Sequence, residues 1–249
     1  HSGGGETADV GDLTGTIIVD SCATAILKRQ DVIKNEISED LTIVGFSSTG
    51  KATYETAENS GIGSNGLTSA RHELLSNFYK EKYPETTDLS IDPALSYCGR
   101  WRLEDQLPGT SMTIGSALLS PTRTYAPLIA ALCKEFKDEI KGIVHCSGGG
   151  QTKCLRFGRN IHFVKDQLFE VPPLFKTIQL ESNTSWHEMY KTFNMGHRME
   201  LYVEPRHVDS VISLAKNFKI GAKIIGYTEW AKNNCLTLKK GNQKLFYES

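Results

Sequence analysis

The sequence lacks the cysteine patterns that mark zinc sites, redox motifs and disulfide-linked domains. Its six cysteines are scattered over 249 residues, and none forms a C-x-x-C pair. Cys146 and Cys154 lie eight residues apart, which is not a zinc-ligand spacing. A chain of this length needs no disulfide staples, so we predict six reduced thiols in a cytoplasmic protein.

The sequence also lacks a long apolar run and an excess of charge of one sign. No stretch reaches the roughly 18 apolar residues that a membrane-spanning helix needs, and no segment has the pattern of a signal peptide. The 28 basic and 29 acidic residues leave a net charge of −1. No long-range field therefore favours nucleic acid or an anionic membrane, and only local pockets can attract anions.

The apolar residues that are present alternate between the periods typical of strands and of helices. This alternation predicts a sheet flanked by helices, in the α+β or α/β class. Residues 47–66 and 84–120 are predicted to be loops, the second long enough to be an irregular lid. Strands are predicted near residues 16–19, 23–27, 41–46, 142–146, 160–164, 198–203, 223–227 and 236–246, and helices near 67–78, 125–136, 174–180, 186–190 and 208–218.

The most informative segment is the end of one predicted strand, where residues 143–147 run into three glycines. Gly148, Gly149 and Gly150 tolerate positive φ and leave backbone N–H groups uncovered. Consecutive N–H groups beside a helix N-terminus can bind a phosphate or another anion, and His145 stands at the same place. A flexible turn, or tight packing of a strand against a helix, is the alternative interpretation.

Two other glycine-rich segments carry polar groups suited to a nucleotide. Residues 61–66 end where a helix is predicted to begin, so Ser64 or Asn65 is expected to cap it or to contact an anion or a ribose. Residues 3–9 combine glycines with Glu6 and Asp9, a pair that can hold Mg²⁺ beside phosphates. A frayed terminus without a role is the commoner fate of such a segment.

Single polar residues elsewhere fit the same kind of ligand. Arg123 follows Ser-Pro-Thr where a helix is predicted to start, and it is either a surface cation or a bidentate phosphate ligand. Asn194 tolerates the left-handed conformation, and Gly196 allows close approach of another backbone.

Two familiar motifs are incomplete. Residues 45–52 nearly spell a phosphate-binding P-loop, but Ala52 stands where Ser or Thr would hold Mg²⁺, which favours a solvated loop. His187 and Glu188 begin a zinc-protease pattern whose second histidine would fall at Lys191, so that motif is ruled out.

Taken in order along the chain, these segments resemble a known family. They are similar to the aminoimidazole ribonucleotide synthases, also called phosphoribosylformylglycinamidine cyclo-ligases, of purine biosynthesis. The resemblance covers nearly the whole chain, with a weak stretch between Lys80 and Ile114. The matching segments are GGETAD at 4–9, SNG at 64–66, SPTR at 120–123, HCSGGG at 145–150, MYKTFNMG at 189–196 and AKIIG at 222–226.

The resemblance implies a ring closure that uses ATP and Mg²⁺ and converts formylglycinamidine ribonucleotide to aminoimidazole ribonucleotide. It also implies a homodimer of two-domain subunits whose second domain is of the α+β class. Residues 1–38 would be the tail of the first, ATP-binding domain, and residues 39–249 would be the second domain.

The resemblance further implies which residues line the cleft between the two domains, without assigning a catalytic acid or base. Glu6 and Asp9 would be the metal ligands. The nucleotide side would be formed by Glu6, Thr7, Asp9, Asn65 and Gly66, and the substrate side by Arg123, His145, Gly148, Gly149, Gly150, Asn194 and Gly196.

The chain also departs from the family pattern. Gly63 stands where the family usually has a histidine, Lys153 replaces an acidic residue, and His197-Arg198 replaces small or apolar residues. The family's N-terminal stretch, with an ATP-contacting lysine and several aspartates, is absent, so we predict that this chain alone is catalytically silent. The alternatives are a non-enzymatic module that binds a phosphorylated ligand or a partner, and a related ATP-using synthetase with another substrate.

Overall fold

A computed structural model describes residues 22, 24–64, 66–88 and 90–248, which form a seven-stranded mixed sheet with helices on both faces. Neighbouring strands are antiparallel except β3 and β6, and the spatial order is β2-β4-β1-β5-β3-β6-β7. This architecture confirms the prediction of an α+β sheet flanked by helices. The strands are β1 (Thr42–Ser47), β2 (Ile140–His145), β3 (Ile161–Lys165), β4 (His197–Val203), β5 (Ala222–Trp230), β6 (Cys235–Lys240) and β7 (Gln243–Glu248).

The described residues also form seven α-helices, several with local signals at their first turns. Thr113 and Ser116 form a capping box at the start of α3, and the Ser185 hydroxyl accepts the Glu188 N–H at the start of α6. The helices are α1 (Leu67–Leu74), α2 (Asn77–Lys82), α3 (Ile114–Leu118), α4 (Ala126–Phe136), α5 (Pro173–Ser182), α6 (Trp186–Thr192) and α7 (Val208–Asn217).

The sheet separates two hydrophobic cores because successive strand residues point to opposite faces. On one face, Val44 and Phe46 of β1 pack with Leu132 of α4 and Val211 of α7. On the other face, Ile43 packs with residues of α1, α5 and α6. Both cores therefore depend on the same central strands.

Several predicted elements differ from the structure. The predicted helix over 67–78 breaks into α1 and α2 because Leu75 and Ser76 pair with Trp101 and Gly99 in isolated bridges. The last predicted strand is a hairpin of β6 and β7. Residues 24–27 form no strand, and those at 16–19 lie outside the described residues.

Two further findings bear on the classes of protein considered above. None of the helices in the described residues combines the length and apolar character needed to cross a bilayer. The six cysteines are all free thiols, and Cys146 and Cys154 are fully buried.

Candidate functional site

The topology brings most of the predicted site segments to one edge of the sheet. β4 runs antiparallel to both β1 and β2, so its first residues lie beside the last residues of those strands. Ser47 is paired with His197, and His145 with Met199. The segments that leave β1 and β2 and the segment that enters β4 therefore meet at this edge.

Arg123 is buried here and holds the loop that follows β1. Its guanidinium donates to both carboxylate oxygens of Glu55, with Nε–Oε1 and Nη2–Oε2 distances of 2.7 Å. It also donates to the backbone carbonyls of Ser47, Thr49 and Gly50 at 2.8–2.9 Å. All five donors of this side chain thus serve the protein itself.

This arrangement corrects two expectations about the neighbouring segments. The loop after β1 is not simply solvated, because Ser48, Ala52 and Ile62 are buried in it. The helix expected to start near Ser120 begins only at Ala126, and the extended segment before it carries Arg123 to the loop.

Asn194 ties three backbone segments together at the same edge. Its side-chain oxygen accepts the Ser48 hydroxyl at 2.8 Å and the Gly196 N–H at 3.1 Å, and its Nδ2 donates to the Gly61 carbonyl at 2.8 Å. The left-handed conformation predicted for Asn194 falls instead on Met195 and Gly196, with φ of 53° and 116°. The role of Asn194 therefore lies in the hydrogen bonds of its side chain and not in its backbone conformation.

The glycine-rich loop after β2 closes against the chain that precedes Asn194. Gly149 and Gly150 have φ of 97° and 49°, and a short 3₁₀ helix follows at Gly150–Arg156. A Cβ on Gly150 would lie 2.6 Å from the Phe193 carbonyl oxygen and 2.7 Å from that of Tyr190, so this position requires glycine.

The loop also presents unused donors. The Gly150 N–H donates to the Ser147 carbonyl at 2.8 Å, whereas the N–H groups of Gly148 and Gly149 have no acceptor in the described part of the chain. Adjacent free N–H groups in a turn are suited to binding an anion. The loop therefore combines tight packing on one side with an anion-binding geometry on the other.

Beneath this loop lies a buried ion pair that the sequence analysis missed. Lys165 Nζ lies 2.6 Å from Glu200 Oε1, and both side chains are fully buried. The His197 ring and the Cys146 thiol contact the same carboxylate oxygen at 3.0 and 3.3 Å, and Tyr202 donates to the other oxygen at 2.7 Å. This group is called the Lys165–Glu200 network below.

The network braces the glycine-rich loop from inside. Lys165 Nζ also donates to the carbonyl of Gln151 at 2.8 Å, and the Gln151 amide donates to the carbonyls of Asn194 and His197. The first turn after the glycines is thereby attached to both β3 and β4. A signal was available in the sequence, since Lys165 continues the inward-facing series of Ile161 and Phe163.

The charges in the network stabilise one another. Burial alone raises the pKa of the Glu200 carboxyl, but Lys165 and His197 outweigh it and lower the pKa to about 2. Burial lowers the pKa of Lys165, but the neighbouring Cys154, Glu200 and Cys146 together raise it above its usual value. Burial lowers the pKa of His197, so the pair is an ammonium and a carboxylate beside a neutral imidazole.

Cys146, His197 and Glu200 place potential metal ligands within 4.8 Å of one another. The ammonium of Lys165 lies against the same carboxylate oxygen, so the position of a cation is taken by the protein's own charge. A thiol, an imidazole and a single carboxylate also differ from the oxygen ligands that Mg²⁺ prefers. This cluster does not fit the expected Mg²⁺.

His145 and Arg198 lie at the boundary between the loop and the sheet. His145 ends β2 with a partly exposed side chain, and burial of the rest of the ring together with the charges of Arg198 and Lys153 lowers its pKa. Arg198 is 2% exposed and donates through Nη2 to the carbonyls of Gly61 and Ile62. Two departures from the family pattern meet here, because Gly63 lies directly against the Arg198 guanidinium.

The remaining predicted site residues are placed only in part. Gly66 precedes α1 with φ of 75° and no side-chain cap, so the expected capping by Ser64 is not observed. Glu6, Thr7, Asp9 and Asn65 lie outside the described residues.

Comparison with known proteins assigns the chain to a family. The family model described as "AIR synthase related protein, C-terminal domain" matches residues 41–238. The chain belongs to this family. The resemblance deduced from the sequence motifs is thereby confirmed.

Named relatives point the same way. The phosphoribosylformylglycinamidine cyclo-ligase of Methanococcus vannielii is 31% identical over 227 residues, which is 91% of this chain and 55% of that protein. The protein of the same name from Methanocaldococcus jannaschii is 30% identical over 224 residues, with 90% and 55% covered. The chain thus spans about half the length of these relatives.

The matches to solved structures have lower sequence identity. Thermotoga maritima PurL complexed with FGAR is 13% identical with a TM-score of 0.44, and the match covers 87% of this chain and 29% of that one. Escherichia coli HypE is also 13% identical, with a TM-score of 0.43 and 86% and 51% covered.

Proposed function

We propose that this chain is the C-terminal portion of an aminoimidazole ribonucleotide synthase. The full enzyme would cyclise formylglycinamidine ribonucleotide to aminoimidazole ribonucleotide in the cytoplasm, with ATP and Mg²⁺, as a homodimer. The observation that carries the proposal is the similarity to named cyclo-ligases over about nine-tenths of the chain. Residues 1–38 would end the first domain, and residues 39–249 would form the second.

The site supports a role in holding a phosphorylated substrate. The free N–H groups of Gly148 and Gly149 would bind the anion, and the side chain of His145 stands at the same edge. Arg123, Asn194 and Gly196 would act by positioning, since their polar groups fix the loop after β1 and the entry to β4. Gly150 would allow the glycine-rich loop after β2 to pack against the chain that precedes Asn194.

The nucleotide side of the cleft would be formed by Glu6, Thr7, Asp9, Asn65 and Gly66, with Glu6 and Asp9 holding Mg²⁺. ATP would supply the phosphoryl group that makes the formyl amide oxygen a leaving group. The residues described here would orient the substrate and hold its charge, which is where most of the catalysis of phosphoryl transfer arises.

Calorimetry with this chain tests the substrate class. We expect formylglycinamidine ribonucleotide to bind and thiamine monophosphate not to bind at the same concentration. Equal binding of the two, or binding of thiamine monophosphate alone, would contradict the assignment to this cyclo-ligase and favour a related synthetase.

A turnover assay tests the state of the chain alone. With ATP, Mg²⁺ and formylglycinamidine ribonucleotide, we expect no phosphate release above background, because the resemblance assigns the ATP-contacting lysine and aspartates to a preceding stretch. Sustained turnover by the purified chain would overturn this expectation. The M. vannielii relative, assayed in parallel, serves as the positive control.

A further inference from the structure

Arg198 is a buried cation without an acidic partner among the described residues. It is among the largest fully buried side chains, and it forms no ion pair with any residue that the structure describes. Its Nε is buried without a hydrogen-bond partner. A buried charge left in this state costs folding free energy, so its presence calls for a compensating role.

Arg123 provides an internal comparison, because it is buried to the same degree in the same region. Its guanidinium pairs with Glu55 at 2.7 Å and uses all its donors. Within the described part of the chain, Arg198 has two acceptors, the neutral carbonyls of Gly61 and Ile62. The protein thus satisfies one buried arginine completely and leaves the other with spare donor capacity.

The groups around Arg198 do not neutralise it. Tyr125 and Cys146 are its titratable neighbours with an acidic proton, and burial raises the pKa of both, so both are neutral near pH 7. Arg123 is the other charged neighbour and is a cation. Burial lowers the pKa of His145, and the charges of Arg198 and Lys153 lower it further.

The position of Arg198 relates it to both glycine segments. Its carbonyl accepts the Cys146 N–H at 2.6 Å, which places its backbone at the start of the His145–Gly150 loop. Its guanidinium contacts the Gly61–Gly63 turn, and a Cβ on Gly63 would lie 1.8 Å from Nη1. The missing side chain at Gly63, where φ is +56°, makes room for the guanidinium.

We propose that Arg198 is the cation that binds the substrate's phosphate group, between the Gly61–Gly63 turn and the His145–Gly150 loop. This inference rests on the proposed function, in which the substrate is a phosphate monoester. The guanidinium supplies charge, and the N–H groups of Gly148 and Gly149 supply directed hydrogen bonds. Arg198 is then a binding residue, and Arg123 is the structural arginine of the pair.

Binding of simple phosphates to the chain tests the proposal directly. Inorganic phosphate and ribose 5-phosphate are titrated by calorimetry, with chloride at matched ionic strength as the control. We expect both to bind the wild-type chain, and Arg198→Met to weaken binding by about tenfold or more. Arg198→Lys keeps the charge but loses the planar fork, so binding should fall between the two.

A matched variant separates a specific contact from general attraction. Lys153→Met removes another cation, and we expect it to retain phosphate binding within about threefold, because Lys153 is only partly buried and its charge is screened by solvent. Circular dichroism and a thermal melt establish that each variant is folded. If Arg198→Met is unfolded, Arg198→Lys carries the comparison.

Three outcomes would overturn the proposal: no phosphate binding by the wild-type chain, equal binding by the Arg198 variants, or a larger loss in Lys153→Met. These outcomes are distinguishable from failure of the proposed function. Selective binding of formylglycinamidine ribonucleotide that is unaffected by Arg198→Met would reject the role of Arg198 and leave the proposed function standing. Phosphate binding that depends on Arg198, without selectivity for formylglycinamidine ribonucleotide, would support the role of Arg198 and reject the proposed function.

Discussion

At the scale of single residues, the site depends on buried charges that are compensated to different degrees. Glu200 and Lys165 neutralise each other, and Arg123 is matched by Glu55. Removing one member of a buried pair costs more than the pair contributes, because the other charge is left without a partner. Substitutions at these residues should therefore affect stability before they affect chemistry.

The first prediction concerns Glu200. We expect Glu200→Gln to lower the free energy of unfolding by about 3–5 kcal/mol at pH 7, because Lys165 is left as a buried, unpaired cation. Chemical denaturation measures this loss. The control is Lys137→Met, which breaks the exposed pair with Asp31 and should cost less than about 1 kcal/mol. Equal losses in the two variants would contradict the buried network.

The second prediction concerns acid. The pKa of Glu200 is lowered from 4.5 to about 2, so its stabilisation is complete above pH 4.5 and is lost as the pH falls towards 2. The shift corresponds to about 3 kcal/mol. We expect the free energy of unfolding of the wild type, measured by chemical denaturation, to fall by this amount between pH 4.5 and 2. The free energy of unfolding of Glu200→Gln should lack this contribution. Parallel pH profiles of the two proteins would refute it.

The sequence could indicate some of these residues but not their partners. Arg123, Asn194 and Gly196 stand out in the sequence because they belong to recognisable segments, and their role in binding stays a prediction. Lys165 and Glu200 were missed because they occupy single positions in different strands, and only strand pairing brings them together. In the sequence, Arg198 and Gly63 are separate departures from the family pattern, whereas in the fold they are neighbours.

At the scale of elements, the glycine-rich loop is defined by what it packs against. Gly149 and Gly150 both have positive φ, but their surroundings differ. A Cβ on Gly149 would meet nothing closer than 3.7 Å, whereas one on Gly150 would collide with two backbone carbonyls. Alanine substitutions at Gly149 and Gly150 therefore distinguish the cost of backbone strain from the cost of a steric clash.

The third prediction uses this difference. We expect Gly149→Ala to destabilise the chain by about 1 kcal/mol through strain, and Gly150→Ala to cost at least about 2 kcal/mol more, because backbone atoms must move. Thermal melts of the two variants measure the gap. Similar melting temperatures would mean that the loop is not held against the chain before Asn194.

Element boundaries show the same limit of sequence reasoning. The strand over 41–46 and the helices over 125–136 and 208–218 were predicted closely, because their apolar periodicity is set locally. The break after Leu74 was not, because it depends on pairing of Leu75 and Ser76 with Trp101 and Gly99. The prediction that the loop after β1 is solvated was wrong. Its burial depends on Arg123, which lies about 70 residues away in the sequence, so a local pattern could not indicate it.

At the scale of the whole molecule, the two cores share one sheet. β1 and β4 contribute side chains to both, since Ile43 and Tyr202 face one core while Val44 and Leu201 face the other. The cores are therefore expected to melt together.

The fourth prediction follows from this sharing. Leu132→Ala in one core and Leu174→Ala in the other should each lower stability by about 2–5 kcal/mol, since both side chains are fully buried. Each variant should still unfold in a single transition, by fluorescence and by circular dichroism. Two separate transitions in either variant would show that the cores unfold independently.

The interior position of β1, between β4 and β5, has a consequence for how the chain is made. β1 ends at Ser47, but both of its partners, β4 and β5, lie between His197 and Trp230. During synthesis this interior strand therefore leaves the ribosome with both edges unpaired and cannot pair until most of the remaining chain has been made. Such late pairing slows folding and exposes apolar strand edges to other nascent chains. Chains that stop before residue 197 are thus expected to need chaperones and to be targets for degradation.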